Sequence, residues 1–137
     1  MRTLIQYLVL TPHNMGYHQQ KIACENYGGF ITEPKKEIEN DFLVTLNTGS
    51  FFLGMSDVLT DGRWLWGSND SEVTWNNWLT LPKGTQESPE YERNCAVMSK
   101  VRGENDGDDD SEESGLVDVG CGSKNIQSLI CQRSKAG

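Results

Sequence analysis

The chain has 137 residues, enough for one hydrophobic core and too few for two, so a single domain is expected. Lys and Arg number 12 against 20 Asp and Glu, and a formal net charge of −8 argues against a phosphate-dominated partner such as nucleic acid. No apolar run approaches the roughly 18 residues that a membrane-spanning helix requires.

Leu4 to Leu10 reads as a strand that stops at the turn residues Pro12 and Asn14. Gln6 and Tyr7 interrupt its apolar run and no small-x-small site follows, so it is expected to be folded sequence, with any secretion signal lying outside it. Tyr17 to Tyr27 predicts a short amphipathic helix closed by Gly28-Gly29. After the Thr32-Glu33-Pro34 start signal, Glu37 to Leu46 predicts a second helix, with Ile38, Phe42, Leu43 and Leu46 at helical spacing. From there the period changes. Phe51 to Met55 and Arg63 to Trp66 are short strand-like runs joined across Asp61-Gly62, followed by Cys95 to Met98, Leu116 to Val119 and Leu129 to Gln132. Helices early and strands late, with a strand at each end, imply an α+β domain.

The acidity is concentrated in one place. From Glu104 to Glu113 the run ENDGDDDSEE holds seven acids and no base, which leaves the rest of the chain at −1. With no apolar residue to bury, this stretch is expected to be a solvated, mobile loop. It is not an EF-hand, because Arg102 stands where a ligand would precede Gly107. Trp64 and Trp66 share a strand face by period two and read as core. His18 reads as a helix-surface residue, and neither it nor His13 belongs to a nucleophile-and-base pattern, so no catalytic residues are assigned.

Cys24, Cys95, Cys121 and Cys131 form no C-x-x-C pair and read as two disulfides in an oxidising, extracellular setting, with three pairings open by spacing alone.

Taken in order, Tyr17 to Cys24, Gly28-Gly29, Glu39-Asn40-Asp41-Phe42-Leu43, Phe52-Leu53-Gly54-Met55, Asp61-Gly62-Arg63-Trp64, Trp78, Asn94-Cys95 and Asp118-Val119-Gly120-Cys121 resemble the C-type lectin-like domain in its short form. The resemblance covers residues 4–133 and extends more loosely to secreted invertebrate members such as the perlucin-like proteins. It implies the pairings Cys24–Cys131 and Cys95–Cys121, paired terminal strands, a long loop at about 79–94 and a non-enzymatic recognition role. Trp78 falls on a family core position.

In sugar-binding members of that family, calcium is held by a Glu-Pro-Asn or Gln-Pro-Asp tripeptide, a Glu two residues before the third-strand cysteine, and an Asn-Asp pair. Such sites suit Ca²⁺ because it takes about 6–8 oxygen ligands. Aligned on Trp78, the tripeptide becomes Leu81-Pro82-Lys83, the Glu becomes Arg93 and the pair becomes Val117-Asp118. Ser88-Pro89-Glu90 is an alternative placement of the tripeptide. Calcium is therefore a possible cofactor whose standard ligands are mostly missing, with Asp118 as a non-standard metal candidate. The expected ligand is a glycan or protein, met by Asn76, Asn77, Glu87, Glu90, Asn94 and Asp118 as hydrogen-bonding groups, with Lys83 and Arg93 suited to an anionic sugar. The alternative is an extracellular-matrix or biomineral protein whose acidic loop, 104–113, contacts calcium or mineral.

Overall fold

A computed structural model describes residues 3–46, 48–59, 63–74, 94–102 and 112–136. Strand β1 (Thr3–Leu10) leads into helix α1 (Tyr17–Asn26), short strand β2 (Phe30–Ile31) and helix α2 (Glu37–Thr45). Strands β3 (Phe51–Ser56), β4 (Leu65–Trp66), β5 (Cys95–Arg102), β6 (Glu112–Val119) and β7 (Leu129–Ala136) follow. They form two antiparallel sheets, one ordered β1-β7-β2 and the other β4-β3-β5-β6. The two ends of the chain lie side by side, paired without a break from Thr3↔Ala136 to Leu10↔Leu129.

Local chemistry accounts for the helix ends. The Gln19 side chain reaches back to accept the Gly16 N–H at 2.8 Å, one of the donors a helix start leaves without an intrahelical partner. At the other end Gly28 adopts φ +92°, a conformation that costs glycine little, and its N–H closes on the Glu25 carbonyl at 2.9 Å. Helix α2 has no side-chain N-cap, but Glu37 and Glu39 in its first turn complement the positive end of the helix dipole.

The predicted apolar face of α2 is only partly used. Leu43 is buried together with Asn40, whereas Ile38 is 74 % exposed and Phe42 46 % exposed. Positions 40, 43 and 44 make the stripe that meets the core. Ile38 and Phe42 lie on the neighbouring stripe, where Phe42 touches Tyr7 at a ring separation of 5.3 Å.

Strand β3 is buried on both faces, which explains its unbroken apolar run. Phe51, Leu53 and Met55 join one cluster with Leu43, Trp64, Trp66, Met98, Leu116 and Ile130, while Phe52 joins the other with Ile31, Val97 and Leu129. Both disulfides sit in that second cluster, paired Cys24–Cys131 and Cys95–Cys121 as the family resemblance implies. Trp64 and Trp66 are core as expected, although only Leu65–Trp66 pairs as a strand, and the turn at Asp61-Gly62 lies outside the described residues.

One boundary is corrected. β5 and β6 pair over eight positions, from Cys95↔Val119 to Arg102↔Glu112, so Glu112 and Glu113 are strand residues and not part of a loop. Strand pairing is a backbone property and runs on past the last apolar side chain. Residues 103–111 of the acidic run lie outside the described residues. No helix among the described residues is long and apolar enough to cross a membrane.

Candidate functional site

The ends of β3, β5 and β6 converge at one edge of the larger sheet. Ser56 pairs with Cys95 and Cys95 with Val119, and the Cys95–Cys121 bond ties the edge together. Just beyond β3, the Asp57 N–H donates to the Asn94 carbonyl at 3.1 Å. Asp118 stands opposite Ala96 and two residues from Leu116, so it shares the face that carries the first core cluster, and it is 4 % exposed. Val117 points the other way and packs against the second cluster.

Asn94 and Asp118 are therefore brought to one end of the sheet, and Asp57, 2 % exposed, joins them. Buried carboxylates need polar partners, and neither Asp57 nor Asp118 is without one. Asp57 was not anticipated from sequence, although an acid two residues after the apolar run Phe51 to Met55 marks where the strand leaves the sheet. No group of three or more His, Cys, Asp or Glu suited to a metal occurs among the described residues. With Val117 apolar and Asp118 buried, the described residues at this edge do not supply the roughly six or more oxygens that a calcium ion takes. Asn76, Asn77, Lys83, Glu87, Glu90 and Arg93, with Trp75 and Trp78, lie outside the described residues.

A second feature has no counterpart in the sequence reading. A half-open cleft of about 270 Å³ lies against α1 and β2, lined in part by Tyr17, Lys21, Glu25, Glu33, Gly67 and Ser68. Glu33 is 2 % exposed, and its carboxylate accepts the Ser68 N–H at 2.9 Å and the Ser68 hydroxyl at 2.7 Å, with the Lys35 ammonium 3.4 Å away. Burial pushes the Glu33 carboxyl above the usual range, against the opposing pull of Ser68 and Lys35. The Tyr17 hydroxyl is pushed up to about 12, first by burial and then by the Glu33 charge, so it remains a neutral hydrogen-bond donor at physiological pH.

The sign of the Glu33 shift sets a testable pH dependence. A carboxyl raised on folding contributes stability that is fully present below its unfolded pKa and is lost as pH rises through the folded value. Relative to Glu33→Gln, the wild type is expected to lose stability as pH climbs from the ordinary carboxylate range through that raised value. Urea denaturation of both proteins over a pH series reads the difference, and a constant gap at every pH would exclude the effect.

Comparison with known proteins follows the same lines as the geometry. The family model described as the lectin C-type domain matches residues 13–133. A perlucin-like protein of Mytilus galloprovincialis is 27 % identical over 74 residues, which are 50 % of this chain and 47 % of that protein. The match thus spans about half the length of that curated relative. Among solved structures, the cow C-type carbohydrate-recognition domain of CD23, crystallised in the presence of a GlcNAc2Man3 oligosaccharide, superposes with a TM-score of 0.75 at 21 % identity, covering 97 % of this chain and 90 % of that one. The C-type lectin domain of murine dendritic cell inhibitory receptor 2, in complex with an N-glycan, gives 0.68 at 19 % identity, covering 96 % and 91 %. At these identities the structural likeness is one of fold.

Proposed function

The chain belongs to the C-type lectin domain family, and from that membership we propose that it is a non-enzymatic, extracellular recognition module that binds a glycan or a protein through the loop at about 79–94, without the family's standard calcium-dependent sugar site. The observation that carries this reading is an intact framework around rewritten ligand positions. Both disulfides and the paired ends are present, while the alignment on Trp78 that the family resemblance implies sets Lys83, Arg93 and Val117 where sugar-binding members carry oxygen ligands. The cow and murine relatives were crystallised with oligosaccharides, which favours a glycan as ligand. Asn94 and Asp118 at the sheet edge would back the loop, and Lys83 and Arg93 would favour an acidic sugar through charge-assisted hydrogen bonds.

A glycan array run with and without EDTA tests this. Binding is expected to persist in EDTA, and replacing Lys83 and Arg93 together by Ala should weaken an acidic glycan about tenfold or more. Binding abolished by EDTA would overturn the calcium-independent reading. Silence in both conditions would remove the lectin reading and leave protein recognition.

A further inference from the structure

The cleft against α1 and β2 is lined by charged side chains in a regular order. Tyr17, Lys21 and Glu25 follow one another at i, i+4 and i+8, so they share one stripe of α1 and span roughly 12 Å along its axis. Glu33 stands at the Tyr17 end. A Cβ added to Gly54 would meet the Glu33 Oε2 at 3.3 Å, one added to Gly67 would meet the Tyr17 hydroxyl at 3.5 Å, and the Gly67 N–H donates to the Gly54 carbonyl at 2.7 Å. Glu25 stands at the other end, where the Gly29 N–H closes on the Cys24 carbonyl at 3.0 Å. From end to end the cleft thus presents a carboxylate, an ammonium and a second carboxylate.

These groups have capacity left over. Glu33 meets two Ser68 donors and the Lys35 ammonium, against the roughly four acceptor positions of a carboxylate. Its side chain is 1 % exposed, so bulk water supplies the remaining position poorly. Lys21, half-buried, and Glu25 form no ion pair among the described residues, and the Tyr17 hydroxyl makes no hydrogen bond there. The Tyr17 ring is held edge-on to Phe52 at 5.5 Å, which fixes where that hydroxyl points.

We infer that the cleft binds a free α-amino acid with a basic side chain, of which L-lysine is the pattern. Its α-ammonium meets Glu33, its carboxylate meets the Lys21 ammonium and the Tyr17 hydroxyl, and its side-chain cation meets Glu25. Each charge of the ligand then faces an opposite charge of the cleft through charge-assisted hydrogen bonds. A volume of about 270 Å³ is the share of about nine water molecules, so a ligand of about that many non-hydrogen atoms fits. Phe30, half-buried in the same wall, offers apolar surface to the methylene stem. A metal ion would meet the Lys21 ammonium between the two carboxylates, and a neutral sugar would leave all three charges unmatched. The inference stands whichever ligand the long loop takes.

Titration calorimetry of the full chain with L-lysine, paired with melting temperatures at each concentration, tests it. Saturable binding with a Kd on the order of 0.1–1 mM is expected for so small a ligand in a half-open site, with a rise in melting temperature as the site fills. Lys21→Ala should weaken binding at least about tenfold and Tyr17→Phe severalfold. Without ligand both variants should melt as the wild type does, because phenylalanine keeps the ring contact with Phe52 and Lys21 has no ion pair to lose. L-Lysinamide, which lacks the carboxylate, α-N-acetyl-L-lysine, which lacks the α-ammonium, and L-leucine, which lacks the side-chain cation, should each bind at least about tenfold more weakly than L-lysine. Glu25→Gln should remove most of the preference for L-lysine over L-leucine. No saturable heat and no rise in melting temperature up to about 10 mM L-lysine overturns the inference. Binding that Lys21→Ala and Tyr17→Phe both leave unchanged overturns the site, and any of the three analogues binding as tightly as L-lysine overturns the ligand class. A preference for L-lysine that survives Glu25→Gln overturns the pairing at that end.

Discussion

Replacing Cys24 and Cys131 together by Ser is expected to cost about 5 kcal/mol, more than replacing Cys95 and Cys121, which should cost about 3.5 kcal/mol. The difference follows from the loops closed, with sequence separations of 107 and 26 residues. A longer loop removes more freedom from the unfolded chain, roughly as the logarithm of its length. Domains of this size are stable by only about 5–15 kcal/mol, so the first loss is a large fraction of the total. The folded state adds a further reason. Cys131 pairs with both Leu8 of β1 and Ile31 of β2, and Cys24 anchors α1, so one bond fixes a helix to the middle strand of its sheet. Urea denaturation of the wild type and both double variants measures the order. Equal costs, or the reverse order, would show that native strain or residual unfolded structure outweighs loop entropy here.

Gly54→Ala is the second change with a large expected effect, at about 3 kcal/mol or more. Gly54 lies in β3 where the two sheets touch. Its N–H donates to the Thr32 carbonyl at 2.9 Å, and its own carbonyl accepts the Gly67 N–H at 2.7 Å. A Cβ added there would stand 2.5 Å from the Ile31 carbonyl oxygen and 3.0 Å from the Glu33 Cγ. The Ile31 contact is to backbone held in the β2–β7 pairing and cannot swing aside, so the sheets must separate or β3 must shift. Gly122→Ala is the control, because a Cβ there meets nothing within 4 Å. Thermal unfolding should place the first variant well below the wild type and the second close to it. Equal midpoints would mean that the junction yields more readily than backbone packing allows.

Much of the fold was legible because its signals are local. A buried run such as Phe51 to Met55, the Gly28-Gly29 stop and the two tryptophans two residues apart each state their role within a few positions. The disulfide pairing was legible only through the family resemblance, since spacing alone left three choices open. What escaped depends on partners far along the chain. Helical spacing put Ile38 and Phe42 on one face of α2, but spacing cannot say whether anything covers that face, and Ile38 is 74 % exposed. Glu33 stood in a helix-start signal. Its role as a buried acceptor is set by Ser68, 35 residues later. The end of the acidic run was misjudged because Glu112 and Glu113 gain their strand from a backbone partner in β5, which their own side chains do not announce. The candidate ligand-binding residues were named from the resemblance, and of these Asn94, at the end of the long loop, and Asp118, in β6, are the two whose surroundings are described.

The pairing of the two ends also decides how the domain would carry a pull. Tension applied at Thr3 and Ala136 would peel β1 from β7 as a zipper, one rung at a time. The sixth rung is Leu8 against Cys131, and Cys131 is bonded to Cys24. Beyond that rung the force crosses from Cys24 to Cys131 through a covalent bond, and residues 25–130 drop out of the load path. The sheet ordered β4-β3-β5-β6, together with the end that carries Asn94 and Asp118, would keep its shape while the strands that tether it are drawn taut.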